Sequence, residues 1–177
     1  FKGDWYTTLV GKLVLRTNAE FGFLGAYNSA VGDVPFERFF VGGDGLNNFT
    51  LDGRDIVQLR GYENQSLTAI DPLTGQQEGA LIYNKFSMEL RYPLTLKPSA
   101  SIFGLAFLEA GNSFNNFQEF NPFLLKRSAG VGLRIFMPAF GLLGIDFGYG
   151  FDEDLRPQSI GNGPSGWQTH FIIGQQF

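Results

Sequence analysis

From Gly11 to Tyr27 apolar and polar side chains alternate for longer than an ordinary strand requires. Leu13, Leu15, Thr17, Ala19, Phe21, Phe23 and Tyr27 hold the odd positions, and Lys12, Arg16, Asn18 and Glu20 stand among the even ones. Such alternation sends one set to each face of a β-strand, so one face is greasy and the other polar. The pattern returns in Ala80 to Tyr92, Lys126 to Met137, Leu143 to Phe151 and Trp167 to Phe177. Ser99 to Gly111 is less clean, apolar on both faces until Glu109, and Phe1 to Leu9 has the look of a strand's end. These strands run to about ten residues or more, where about five or six is usual. Ten is what a tilted strand needs to cross a bilayer.

The connections alternate as well. Val10-Gly11, 93–98 and 138–141 are short, whereas 28–79, 112–125 and 152–166 are long. Short turns on one side and long loops on the other mark an outer-membrane barrel. The expected fold is therefore all-β, an antiparallel transmembrane β-barrel of the outer-membrane type. A soluble sandwich would share the alternation, but not the long strands and the loop asymmetry together. An aromatic content of 16% at a mean hydropathy of −0.03 suits a two-faced sheet. No apolar run reaches the length of a membrane helix, and no basic-then-apolar leader opens the chain. A membrane barrel must close, because an open edge strands backbone groups in hydrocarbon. Seven strands, the first cut short, thus imply further strands upstream of Phe1.

Composition narrows the chemistry. There is no Cys, which removes disulfides and thiolate metal sites. A net charge of −4 without a basic cluster argues against nucleic acid. His170 is the only histidine and has no nucleophile motif beside it, so no enzyme is expected. The acids and amides of Asp44 to Asp55 match no calcium loop and are ordinary turn material, so neither a metal nor another cofactor is expected.

The loop 28–79 is the anomaly, because it shows no sustained strand or helix period and yet carries "DIVQLRGYENQ" from Asp55 to Gln65. A structureless loop this long is functional or misassigned. Its "PFERFFVGG" (Pro35 to Gly43) followed by "LRGY" (Leu59 to Tyr62) resembles the sixth extracellular loop of the BamA family, the barrel-assembly insertases of bacterial outer membranes. Ordered matches follow in "FSMELRYPL" (Phe86 to Leu94), "FGLAFLEAGNSF" (Phe103 to Phe114), "RSAGVGLRIFMPAFGLLGIDFGYGF" (Arg127 to Phe151) and "HFIIGQQF" (His170 to Phe177). Leu59 stands where the family usually has Val, and the stretch Asp44 to Ile56 is longer than its pattern.

The resemblance implies the C-terminal strands of a barrel of about sixteen, with periplasmic POTRA domains upstream. It implies that the loop folds inward with Phe39, Phe40, Gly42 and Gly43 in its signature, and that the motif's arginine bonds acids on the lumen wall. Glu89 and Glu109 match those acids by position. Glu89 shares the polar parity of Lys85, Ser87 and Arg91, and a carboxylate at Glu109 facing lipid would be costly. Arg60 is thus expected on Glu109, Glu89 or both, with Gly61 allowing a tight turn. In the last strand Phe171, Ile173 and the terminal Phe177 resemble the assembly signal of barrel proteins. Gly174 matches a glycine at which the family's last strand kinks beside a labile seam.

Implied partners are nascent outer-membrane barrels, accessory lipoproteins and the lipid bilayer. A two-partner secretion pore, which shares the loop motif, or a passive porin is the alternative.

Overall fold

Seven strands form one antiparallel sheet in the computed structural model, which describes residues 1–25, 37–45, 55–71, 74–97, 100–138, 141–156, 159 and 161–174. Pro35, Phe36, Phe177 and most of the stretch Asp44 to Ile56 lie outside the described residues. The elements are β1 (Lys2–Thr8), β2 (Val14–Phe23), β3 (Phe39–Val41), β4 (Asp55–Val57), β5 (Ile82–Lys97), β6 (Ala100–Phe114), β7 (Lys126–Met137), β8 (Gly141–Gly150) and β9 (Gly166–Gly174). The large sheet runs β1-β2-β5-β6-β7-β8-β9, each strand beside its sequence neighbour except where the loop carrying β3 and β4 intervenes. Among the described residues the sheet is open, with β1 and β9 as its edges.

The two faces follow the alternation. Met88, Leu90, Tyr92, Leu108, Val131, Phe147, Phe171 and Ile173 are exposed on one face. The other buries Asn18, Glu20, Ser87, Glu89, Glu109, Ser128, Arg134, Asp146 and His170. This is the reverse of a water-soluble fold. Apolar side chains scattered singly on a surface need no explanation, but a continuous apolar sheet face does.

Two strands outrun the sequence pattern. β5 continues past Tyr92 to Lys97, because the ladder absorbs Pro93 at a register shift between Pro93 and Thr95. A bulge is one of the few places where a sheet accepts a residue with no N–H to donate. β6 correspondingly reaches Phe114, opposite Ile82.

The loop also differs from its expected lack of structure. Its β3 and β4 pair in parallel, with Phe40 opposite Ile56, and Gly43 bridges Leu59 just beyond. Three residues per strand are too few to show a period. Val41, Val57, Leu59, Tyr62, Leu67 and Tyr83 cluster into a small core, with Phe39 and Leu155 packed against it. The loop therefore has an apolar interior of its own and sits on the sheet's polar face.

Candidate functional site

Leu59 is fully buried and bridged to Gly43, and this fixes where the next residue enters the sheet. Gly42 and Gly43 have φ of 119° and 77°, a region that favours glycine, and a Cβ on Gly42 would lie 2.7 Å from the Glu63 carbonyl. The paired glycines thus let β3 turn tightly beside the chain that carries the motif. Phe40 is buried, and Phe39 stacks edge-on against Tyr83 at 4.7 Å.

Arg60 then extends across the sheet. Its backbone N–H donates to Oε2 of Glu109 at 2.8 Å, while Nε and Nη2 donate to Oε1 of the same carboxylate at 3.0 and 2.6 Å. Nη2 also donates to Oε1 of Glu89 at 2.5 Å, and Nη1 to Oδ2 of Asp146 at 3.0 Å. Beneath it lies the ring of Phe107, 3.8 Å from the guanidinium carbon. A planar five-donor fork suits such a cage, whereas a lysine ammonium has only three donors for these four side-chain bonds. Phe107 also accounts for an apolar side chain on the polar face of β6, since guanidinium stacks on aromatic faces.

Further cations surround the acids. Arg91 grips Glu89 through Nε at 2.8 Å and Nη2 at 2.5 Å, and Arg16 approaches the same carboxylate at 3.6 Å. Arg134 holds Asp146 with Nη1 at 2.5 Å and Nη2 at 2.6 Å. Ser87 donates to Glu109 at 3.2 Å. Burying one carboxylate unpaired would cost several kcal/mol, so dense pairing is what lets three of them share one buried site.

Gly61 lies against the bare backbone of β8. Its φ is 87°, and a Cβ there would fall 2.7 Å from the Ser128 Cβ and 3.1 Å from the Gly150 nitrogen. The floor is equally stripped: a Cβ on Gly148 would come within 2.7 Å of the Gly61 nitrogen. Inward glycines on β7 and β8 leave the hollow in which the motif settles. The Gly61 N–H donates to Nε2 of His170 at 2.9 Å. Buried Tyr62 completes the dock, donating its hydroxyl to the Arg127 carbonyl at 2.7 Å. Burial pushes that hydroxyl's pKa up, so it stays a donor.

The structure brings Leu59, Arg60, Gly61, Tyr62, Glu89 and Glu109 into one cluster. Phe39, Phe40, Gly42 and Gly43 support it from the loop side. Phe171, Ile173 and Gly174 lie apart on β9, with Phe171 and Ile173 on the exposed apolar face. Among the described residues a Cβ on Gly174 would meet nothing within 4 Å, so packing against them does not demand glycine there. Asp146, Phe107, Arg134 and the acceptor role of His170 were missed by sequence reasoning. Asp146 carried a usable signal, as an acid on the polar parity of an otherwise Gly- and apolar-rich strand, the same feature that singled out Glu109. Among the described residues no cluster of His, Cys, Asp and Glu could hold a metal ion.

An antiparallel sheet with an apolar outer face and a loop arginine locked to its polar face now stands beside the sequence comparisons. The Omp85 superfamily domain matches residues 1–177. The chain belongs to the Omp85 superfamily. Members of the Omp85 superfamily act on outer-membrane protein substrates, and this membership fits outer-membrane insertion or secretion. The all-β sheet is in keeping with a fragment of an Omp85 barrel and with an outer-membrane location. No curated protein matches the chain.

Proposed function

We propose that this Omp85 chain is the C-terminal part of a BamA-type insertase, which folds and inserts other β-barrel proteins into the outer membrane. The observation that best supports this is the docked loop. Arg60 ties residues 59–62 to β5, β6 and β8, and Gly61 ties them to β9. The last strand, where the proposed seam lies, is thereby tied through the loop to the middle of the sheet.

An edge strand offers a row of backbone donors and acceptors to an incoming chain, and strand addition uses them directly. The client is a nascent barrel protein, paired transiently at a seam between the last strand and the barrel's first strand upstream. Gly174 contributes by weakening β9 near its end. Phe171 and Ile173, with Phe177 beyond, act as this chain's own assembly signal. Further strands and POTRA domains precede it, accessory lipoproteins join it, and no cofactor or chemical step is involved.

The test is depletion of the parent protein in its host, followed by re-expression of wild type or Arg60→Glu. Folding of several unrelated outer-membrane barrels is followed by their heat-modifiable mobility. A general loss on depletion, restored by wild type and poorly by Arg60→Glu, is expected. Undisturbed assembly of the other barrels would replace the insertase with a pore that exports a single partner, or with a porin.

A further inference from the structure

Asn84 on β5 and Asn112 on β6 are partners in the ladder, four residues from the partners Met88 and Leu108 on the same strands. Even spacing keeps all four side chains on one face, the apolar outer one, where Met88 and Leu108 are exposed. The two asparagines are nonetheless buried, with 0% and 3% of their surface exposed. What covers them is the connection from β6 to β7. Asn84 Nδ2 donates to the Pro122 carbonyl and Asn112 Nδ2 to the Leu124 carbonyl, each at 3.0 Å. Phe120 packs edge-on against Phe23 of β2 at 5.6 Å and Phe114 of β6 at 5.4 Å, while Phe117 stacks on Phe23 at 6.2 Å. The connection thus folds down over the outside of the sheet as a flap.

Residues 115–124 of this flap have the chemistry of a boundary between water and hydrocarbon. Glu119 is their only charge. Phe117 and Leu124 are exposed, and Phe123 is 89% exposed. Irregular backbone avoids lipid because its polar groups go unpaired there. Here asparagines meet that need from within. Glu119 N–H donates to Asn116 Oδ1 at 2.8 Å, Phe123 N–H to Asn121 Oδ1 at 3.0 Å, and Leu124 N–H to the Asn121 carbonyl at 3.1 Å. The next partners along the same face, Phe86 and Ala110, line an apolar groove with Met88, Leu108 and Phe151. Flap and wall therefore form one continuous apolar surface. The flap also lies at the end of the sheet where the long connections gather, which in an outer-membrane barrel is the extracellular end.

We propose that residues 115–124 are an interfacial anchor, lying in the outer leaflet where lipid headgroups meet acyl chains. Phe117, Phe123 and Leu124 enter the acyl layer, and Asn84 and Asn112 clasp the flap against the wall. Its partner is lipid, because its exposed side chains continue the membrane-facing surface of β5 and β6. Aromatic side chains at that depth set how high a barrel sits and how it tilts. The anchor requires the outer-membrane location and is independent of what the barrel inserts or exports.

Nitroxide accessibility tests it, in the full-length parent protein freed of any other cysteine and reconstituted into phosphatidylcholine vesicles. Single labels are carried by Phe123→Cys, by Met88→Cys on the wall and by Glu78→Cys, an exposed charged position of the long loop. Collisions with oxygen, which concentrates in the acyl layer, are compared with collisions with a water-soluble nickel chelate. The Phe123 label should favour oxygen as the Met88 label does, and the Glu78 label should favour nickel. A Phe123 label as open to nickel as Glu78 would put the flap in water and overturn the anchor. One shielded from both reagents would put protein over it, and overturn the anchor equally. A Met88 label that favours nickel would bring down the membrane placement of the sheet, and the anchor with it.

The clasps are tested by adding Asn112→Ala, alone or with Asn84→Ala, to the Phe123 label. Nickel collisions should rise several-fold while the protein keeps its heat-modifiable fold. Unchanged accessibility in both would overturn the clasping role of the asparagines.

Discussion

The backbone N–H of Gly61 donates to Nε2 of His170 across 2.9 Å, so the loop's motif is hydrogen-bonded to the last strand as well as ion-paired to the middle of the sheet. A ring nitrogen that accepts carries no proton, so the histidine here is the tautomer protonated at Nδ1, the atom 3.8 Å from Asp44. Replacing His170 with Ala leaves a buried amide unpaired, at about 1–3 kcal/mol. Limited proteolysis of the folded protein should then cut within residues 55–65 at least several-fold faster. A cleavage rate equal to wild type would show that the bond does not hold the loop.

Arg60 separates charge from shape. Arg60→Ala leaves Glu109, Glu89 and Asp146 facing one another without their shared cation, and breaking such a buried pair costs about 3–5 kcal/mol. Arg60→Lys restores one charge but not the fork, and should recover only part of that loss. Denaturant unfolding of the full-length barrel in detergent orders the three proteins as wild type, lysine, alanine. A lysine variant as stable as wild type would mean that geometry contributes nothing.

Two glycines make opposite forecasts. At Gly61 an alanine must adopt a left-handed φ, costing roughly 1–2 kcal/mol, and also displace Ser128 or the β8 backbone. Gly61→Ala should therefore expose the loop to protease. Gly174→Ala meets nothing within 4 Å among the described residues and should leave stability within about 0.5 kcal/mol of wild type. If β9 works as a weak seam, this substitution slows client assembly all the same. Normal assembly by a Gly174→Ala protein would dismiss the hinge.

The connection between β8 and β9 carries an acid-sensitive clasp. Hydrogen bonds from Arg127 hold the Asp152 carboxyl below its ordinary range. At Asp154 burial would raise the pKa, but hydrogen bonds from Arg156 outweigh it and hold it down. Arg156 also pairs with Glu63, one residue past the motif. A folded pKa below the unfolded one means that the stabilisation is complete above about pH 4 and fades as pH falls through the lowered values. The hydrogen-exchange protection of residues 152–156, taken against the intrinsic exchange rate at each pH, should fall as pH drops below about 4, and Asp154→Asn should flatten that dependence. An identical profile in both proteins would place the sensitivity elsewhere.

Most of the sheet was legible because period-two alternation survives wherever one face meets an apolar medium and the other does not. Glu89 stood out by parity, and Glu109 because it interrupts an apolar run. Asp146 was overlooked among glycines whose meaning appears only when the loop lies on them. The parallel ribbon of β3 and β4 left no trace in the pattern, since three residues cannot establish a period. The extension of β5 past Pro93 depends on a bulge that no local preference announces. Nor could sequence show that Asp44 meets Phe171, a contact between segments brought together only by the loop's return across the sheet.

The cage around Arg60 draws its members from separate strands: Glu89 from β5, Glu109 and Phe107 from β6, Asp146 from β8. A slip of any of these strands by one residue would carry its acid to the opposite face. The arginine thus works as a caliper for the barrel's own construction. It seats only when the alignment of all three strands is correct at once, so a misaligned barrel is left with its loop undocked and open to degradation.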